Sequence, residues 1–257
     1  MDLAPAIGIG GGFVVVIGAN VMEGGNPMAL LLPAPLVLVF GTTLLISIAG
    51  GTMMDAKNII GSLKRAFTGN VEPAAAMIPE VVSLAERARR EGLLSLEESL
   101  ATIDDPFLVK GVTMAIDGTD PEELREILEA EVYAKRLEDR QSAKFFGDAG
   151  AYAPTIGIIG TVMGLVHVLE NLAAPAELGH LIAGAFIATL WGVTSANVIW
   201  LPLSSRLKRL GELECARMEL AIEGIAAIQA GSNPRIIAQK LRSLLPAGQQ
   251  PDAEAAA

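Results

Sequence analysis

Residues 149–203 read AGAYAPTIGIIGTVMGLVHVLENLAAPAELGHLIAGAFIATLWGVTSANVIWLPL, and their reading decides the fold. No Lys or Arg occurs between Phe145 and Ser205, and the acids sit at the edge (Asp148) or in the short middle segment (Glu170, Glu177). Two apolar blocks of roughly 20 residues, each able to cross ~30 Å of hydrocarbon as a helix, therefore flank one short loop. Small and hydroxyl residues punctuate both blocks: Gly157, Gly160, Gly164, Ala185, Ala188 and Gly192, with Thr161, Thr189, Thr194 and Ser195 among them. Small residues at spacings of three and four let helix backbones approach closely in lipid, so this hairpin is built to pack against other helices. Pro154 and Pro202 each remove a backbone donor and free a carbonyl that must find another partner.

Two further apolar runs precede the hairpin, Leu3 to Met22 and about Leu31 to Thr52, which makes four spans. The chain's mean hydropathy of +0.47 agrees. No Lys or Arg precedes Lys57, so the first run lacks the basic flank of a signal peptide and reads as a span. All 19 basic residues lie in Lys57–Lys144 and Arg206–Arg242, and by the positive-inside rule both segments are cytoplasmic. The expected organisation is residues 1–52 as transmembrane helices 1 and 2, 53–146 as a cytoplasmic helical domain and 147–204 as transmembrane helices 3 and 4. Residues 205–245 follow as cytoplasmic C-terminal helices and 246–257 as a disordered tail. Both termini are then cytoplasmic. The net charge of −10 argues against a nucleic-acid partner, and the single Cys215 cannot form an intrachain disulfide.

The insert reads as helices. Ile59, Ile60, Leu63 and Phe67 beside Lys57, Lys64 and Arg65 suit an amphipathic helix on the inner membrane surface. Pro73 opens a second helix that closes near Gly92, Asp104-Asp105-Pro106 reads as a turn, and Asp120-Pro121 with Glu123 caps a third helix that runs toward Phe146. After Pro202 the apolar spacing continues to Gly231, and Pro234 starts a last short helix. No strand alternation occurs, so the class is all-α: a polytopic membrane protein with four transmembrane helices and a helical cytoplasmic domain formed by the insert and the tail.

The chemistry-bearing groups are few. Gly8–Gly12 (GIGGG) lacks the strand and the Lys-Ser/Thr of a phosphate loop and reads as close helix packing. With no nucleophile and no metal cluster in the sequence, the chain does not read as an enzyme, and no cofactor or permanently bound metal is expected. The four spans hold no ionisable residue at membrane depth, so any carboxylate needed for ion passage must come from another chain. Thr161 and Thr189 offer oxygens suited to a hard cation, but the residues alone leave open that each bonds its own i−4 carbonyl and only packs. The charges of RARREGLLSLEESL (Arg87–Leu100) read, on their own, as a solvated helix end with i,i+4 pairs.

Taken together these residues resemble the flagellar stator A-subunit family, MotA of proton-driven motors and PomA of sodium-driven ones. The resemblance runs from span 1 to about Leu245 and rests on the two-plus-two span layout, Arg89-to-Glu97 (RxxGxxSLE), PTIGIIGTVMGLVHVL from Pro154, PAELGHLIAGAFIATLWG from Pro175 and Pro202. It implies an inner-membrane homopentamer around a dimer of the stator B-subunit (MotB/PomB-like), whose aspartate carries the ion, and torque on the rotor protein FliG. It implies roles for Thr161 and Thr189 in the ion pathway, with a transient sodium at Thr161, for Pro154 and Pro202 in coupling, and for Arg89, Arg90, Glu97 and Glu98 at the rotor. GTxxGLV at Thr161 resembles sodium-driven members, so sodium is favoured over protons. The alternatives are an ExbB/TolQ-like energiser of another membrane complex and a membrane scaffold with no transport.

Overall fold

A computed structural model of the protein describes residues 3–246 and 248, and every described element is helical. The expected disordered tail, residues 246–257, lies outside the described residues except for Pro246 and Gly248. The chain divides into two compact units, one made of the residues up to Asn70 with Asp139–Arg209, the other of Val71–Glu138 with the residues from Leu210 on.

In the first unit, α1 spans Ala4–Met22. Its Val14 and Val15 are about 70% exposed, the side-chain choice a helix makes when its surroundings are acyl chains or neighbouring helices. The second span, α2, occupies Pro33–Ala49 and is shorter than the expected Leu31-to-Thr52 run. The reason lies in the loop between the first two spans. Pro27–Leu30 form a 3₁₀ turn capped by Asn26, and Leu32 is extended before Pro33, so the first two leucines of the run never enter the helix. Span 2 carries a π-turn at Val37–Gly41. Thr52 and Asp55 then form a reciprocal capping box that starts α3, Met53–Thr68.

The helix α3 is the amphipathic one expected from its periodicity, and it packs in this unit, with Ala66 fully buried in a cluster with Phe145, Phe146, Leu203 and Leu207. Arg65 on α3 reaches the buried carboxylate of Asp139. A charge pair at such depth is stable only because each partner satisfies the other.

The second unit contains α4, Ile78–Glu91, which ends where Gly92 adopts φ +87°. A 3₁₀ segment, Leu93–Thr102, follows and buries Leu96 completely. Where the sequence suggested only a turn at Asp104-Asp105-Pro106, the structure starts a helix, α5, Pro106–Ile116. Asp105 Oδ1 accepts from the N–H groups of Phe107 and Leu108, at 2.9 and 3.1 Å, and Phe107, Leu108, Val112 and Ala115 then point into the core. Helix α6, Pro121–Glu170, is a single run of 50 residues that includes the third span, and α7, Pro175–Gln229, includes the fourth. Asp120 caps α6 through Glu122 N–H at 2.9 Å, as its Asp-Pro pattern predicts. Helix α8, Pro234–Ser243, is capped by Asn233 and buries Ile237 and Leu241 against this core. Arg217 ties the unit together, bonding Asp105 and Glu72 at 2.8 Å each.

Candidate functional site

The membrane parts of α6 and α7 lie backbone to backbone. A Cβ built on Gly192 would stand 2.6 Å from the Ala153 carbonyl oxygen and 3.0 Å from Gly157 Cα, and one on Gly157 would stand 2.9 Å from the Ala188 oxygen. Only glycine admits that approach, which is what the small-residue spacing in the sequence anticipates.

This closeness brings Thr161 and Thr189 together. Their hydroxyls are in direct hydrogen-bond contact. Thr161 Oγ1 also lies 3.2 Å from its own i−4 carbonyl, Gly157, and 3.0 Å from the Ala185 carbonyl across the hairpin. Thr189 Oγ1 reaches across to Gly157 O at 3.2 Å. Two hydroxyls and two backbone carbonyls therefore converge in one place. All four are neutral oxygens, the donor set that suits a hard monovalent cation or an arriving carboxylic acid, and two hydroxyl protons suffice to satisfy them when neither is present. The purely local packing read from the sequence describes only the Gly157 bond of Thr161, since the remaining contacts bridge the two spans.

A cleft of about 440 Å³ adjoins this cluster toward the Glu170–Pro175 loop, lined by Leu32, Pro33, Leu38, Gly160, Met163 and Ala185, with His167 and His180 among its walls. His167 Nδ1 stands 3.3 Å from Glu170 at the outer end of α6. Trp191, next to the Thr189 turn, donates through Nε1 to the Leu30 carbonyl at 2.7 Å and touches the rings of Phe13 and Phe40. This anchor between span 4 and the outer loop was not singled out from the sequence, where a tryptophan in a span reads as packing.

Pro154 is half-buried and lies within the unbroken α6, while Pro202 is exposed and stands two residues beyond a π-turn at Ala196–Trp200. The π-turn absorbs the missing donor by shifting hydrogen bonds one residue back, with Leu201 N–H reaching Ala196 O. The contact between the Gly150 position and Leu201 sets the depth of the hairpin and brings both prolines to its inner half.

In the second unit, Arg89, Arg90, Glu97 and Glu98 are all exposed, as two short runs either side of Gly92. Glu98 is engaged: Arg87 Nη2 binds its Oε2 at 2.5 Å, and Arg87 also contacts Ser99 at 2.9 Å and Glu91 at 3.3 Å. The bond to Glu98 raises the pKa of the Arg87 guanidinium further above its ordinary value. Arg89, Arg90 and Glu97 make no ion pair among the described residues. The i,i+4 pairing expected of this helix end is made by Arg87 with Glu91, whereas its bond to Glu98 was not legible in the sequence, because it depends on how Gly92 turns the chain. Among the described residues no cluster of three His, Cys, Asp or Glu could hold a metal ion.

Comparison with known proteins agrees over nearly the whole chain. Motility protein A of Bacillus subtilis (strain 168) is 36% identical over 248 residues, 96% of this chain and 92% of that protein. The chain is a member of the MotA/PomA family. The profile of the MotA/TolQ/ExbB proton channel family matches residues 99–220. Chemotaxis protein PomA of Vibrio alginolyticus is 32% identical over 97% of this chain and 98% of its own length. Among solved structures, C. jejuni MotAB superposes with a TM-score of 0.91 at 28% identity, covering 96% of this chain and 97% of that one. The flagellar MotAB stator complex from Bacillus subtilis gives 0.88 at 36% identity, with 95% and 96% covered. The MotA/PomA fold thus accounts for both units of this chain.

Proposed function

We propose that this chain is the A-type subunit of an ion-driven flagellar stator, coupling the inward flow of sodium ions or protons to torque on the rotor. The observation that carries the reading is the four-oxygen cluster at Thr161 and Thr189, set in spans that contain no Asp, Glu, Lys or Arg between Asp148 and Glu170 or between Glu177 and Arg206. Such a cluster can hand a cation on but cannot neutralise it. A MotB-type partner supplies the aspartate, and the ion sits between that carboxylate and the two hydroxyls. The namesakes that match along the full chain are motility proteins, which favours a stator over an ExbB/TolQ-like energiser, and the cross-span bonds of the threonines favour ion handling over a passive scaffold.

In this reading the protein is a multi-pass subunit of the inner membrane with both termini cytoplasmic, residues 53–146 and 205–245 forming its cytoplasmic part. Five copies surround two MotB-type helices, Pro154 and Pro202 transmit the local change when the ion leaves, and Arg89, Arg90, Glu97 and Glu98 meet FliG. The energy scale fits exposed contacts. One charge moved through 100 mV yields ~2.3 kcal/mol, enough to make and break surface pairs worth ~0.2–1 kcal/mol at each step.

Thr161 inclines the ion toward sodium. The test is stator torque as sodium is varied at fixed pH and fixed proton-motive force, in cells that rely on this chain and its own MotB-type partner. Torque that rises with sodium and collapses without it assigns sodium, and Thr161→Ala should then lower the torque far more than Thr161→Ser. Torque indifferent to sodium but abolished by a protonophore assigns protons and defeats the sodium reading. Absence of any rotation would defeat the stator reading itself.

A further inference from the structure

Span 2 buries one face, and that face is polar where it should be greasy. Val39, Thr43 and Ser47 follow one another at i, i+4 and i+8 with 0, 0 and 3% of their surface exposed. Thr43 Oγ1 and Ser47 Oγ have no hydrogen-bond partner among the described residues, and neither takes the i−4 carbonyl that a threonine or serine in a span ordinarily uses. Trp200 Nε1 is a third buried polar atom without a partner, and its ring lies 6.4 Å from that of Phe40, one turn from Thr43. Buried polar atoms in such number demand a partner, and where the protein supplies none, water does.

Two contacts fix the depth of this seam. The Gly160 position meets Leu38 Cδ2 at 2.8 Å, and the Gly50 position meets Asp148 Oδ2 at 4.0 Å, so span 2 runs antiparallel along span 3 from one residue before Thr161 down to Asp148. At 1.5 Å per residue, Thr43 lies about 9 Å and Ser47 about 15 Å inward of Thr161, and Asp148 about 20 Å. Ser195, also fully buried, stands level with Thr43 by the register of the hairpin. Asp148 is partly exposed and bonded to Lys144 at 2.6 Å, so the seam ends at a solvated carboxylate. The gaps of about 5 to 9 Å between these groups are of a length that one to three waters can bridge.

We infer that the buried face of span 2 lines a file of water within the subunit, and that this file carries the ion released from Thr161 and Thr189 past Thr43 and Ser47 to the cytoplasmic face at Asp148. The inference rests on the stator reading and adds to it an inner half-path lined by span 2. Hydroxyl and water oxygens take up sodium or a proton alike, while the Trp200 N–H donates to the water of the file, so the path serves either ion.

The test uses the full chain with its MotB-type partner in inverted membrane vesicles, in a Cys215→Ala background. Thr43→Cys and Ser47→Cys should react with a charged, membrane-impermeant methanethiosulfonate at least tenfold faster than Leu45→Cys, which sits on the exposed face of the same helix, and Ser47→Cys should be the faster of the two. Thr43→Val with Ser47→Ala, which keeps the shape and removes both hydroxyls, should lower ion-driven torque several-fold with unchanged membrane levels. Cysteines at 43 and 47 that react no faster than the one at 45 would overturn the inference. So would fast labelling with wild-type torque in the double variant, since the water would then carry nothing. The labelling reads out without rotation, so a failure of the stator reading, in which the native chain drives no torque, is seen separately.

Discussion

Adding one methyl group at Gly192 should uncouple the ion site while leaving the protein in the membrane. In Gly192→Ala the new Cβ would sit 2.6 Å from the Ala153 oxygen, against an ordinary contact of about 3.4 Å, so spans 3 and 4 must separate by roughly 0.8 Å at this crossing. The obstructing atoms are backbone, and no side-chain rotation relieves them. The 3.0 Å contact from Thr161 Oγ1 to the Ala185 carbonyl would open to about 3.8 Å, which is no longer a hydrogen bond. Overpacking of this kind costs about 1–3 kcal/mol, a loss the remaining helix contacts can absorb. Gly184→Ala is the control, because a Cβ there meets only Leu32, at 3.8 Å. Torque measured on tethered cells, with membrane levels read by immunoblot, should fall at least tenfold for Gly192→Ala and stay near wild type for Gly184→Ala. Wild-type torque in Gly192→Ala, with its stability also unchanged, would refute the claim that this crossing sets the oxygen cluster.

Three further outcomes follow from the charges. Glu97→Lys should reduce torque without loss of membrane level, with partial recovery when a facing rotor charge is reversed, because Glu97 is exposed and makes no ion pair among the described residues; the paired test is a torque measurement across the four charge combinations. Asp139→Asn should lower the thermal midpoint of the detergent-solubilised protein by an amount equivalent to about 2 kcal/mol, less than the ~3–5 of a fully buried charge, because its partner Arg65 still reaches water. Glu223 is held at a pKa of about 2, below its ordinary 4.5, by Arg125 first and Lys240 second. A depressed carboxylate contributes stability that is complete above pH 4.5 and lost as pH falls toward 2. The difference in melting between wild type and Glu223→Gln should therefore be largest at neutral pH, about 1–2 kcal/mol after screening of this partly exposed group, and shrink to nothing near pH 2.

What the sequence shows and hides follows from range. The membrane hairpin, the Asp120-Pro121 start and the Pro234 helix are written in neighbouring residues, and they stand in the structure as read. Asp105-Pro106 carries the same signal as Asp120-Pro121, yet Asp104 before it reads equally well as a turn; only the burial of Phe107, Leu108 and Val112 decides for a helix. The convergence of Thr161 with Thr189 depends on a crossing 28 residues apart in the chain, and the place of Arg87 beside Glu98 depends on the φ of Gly92. Thr43 and Ser47 are hidden for a different reason. A hydroxyl in an apolar run can face lipid, a neighbour or water, and composition is the same in all three cases.

The placement of charge would let this subunit fold and insert before it meets its partner. A carboxylate at the depth of Thr161 would cost at least ~2.5–3.5 kcal/mol in an unpartnered chain and would need a proton or a counter-ion to be tolerated. Two threonines cost little, because Thr161, Thr189 and the carbonyls of Gly157 and Ala185 satisfy one another while they wait. Were an ion to arrive on a partner's aspartate, as the proposed function has it, the hydroxyls would need only turn their lone pairs toward it, a rotation about one bond that breaks no helix. In the proposed stator reading the charge that does the work is thereby kept on the other chain, and this chain supplies a site whose two states, self-bonded and ion-facing, would differ by a few weak hydrogen bonds. A Thr189→Val variant tests the point from the opposite side: it removes the ion-facing state but leaves Thr161 bonded to Gly157, so the subunit should insert and assemble at wild-type levels while torque is lost. Poor insertion of that variant would show that the cluster is needed for folding and that the division of charge between chains is not what keeps it there.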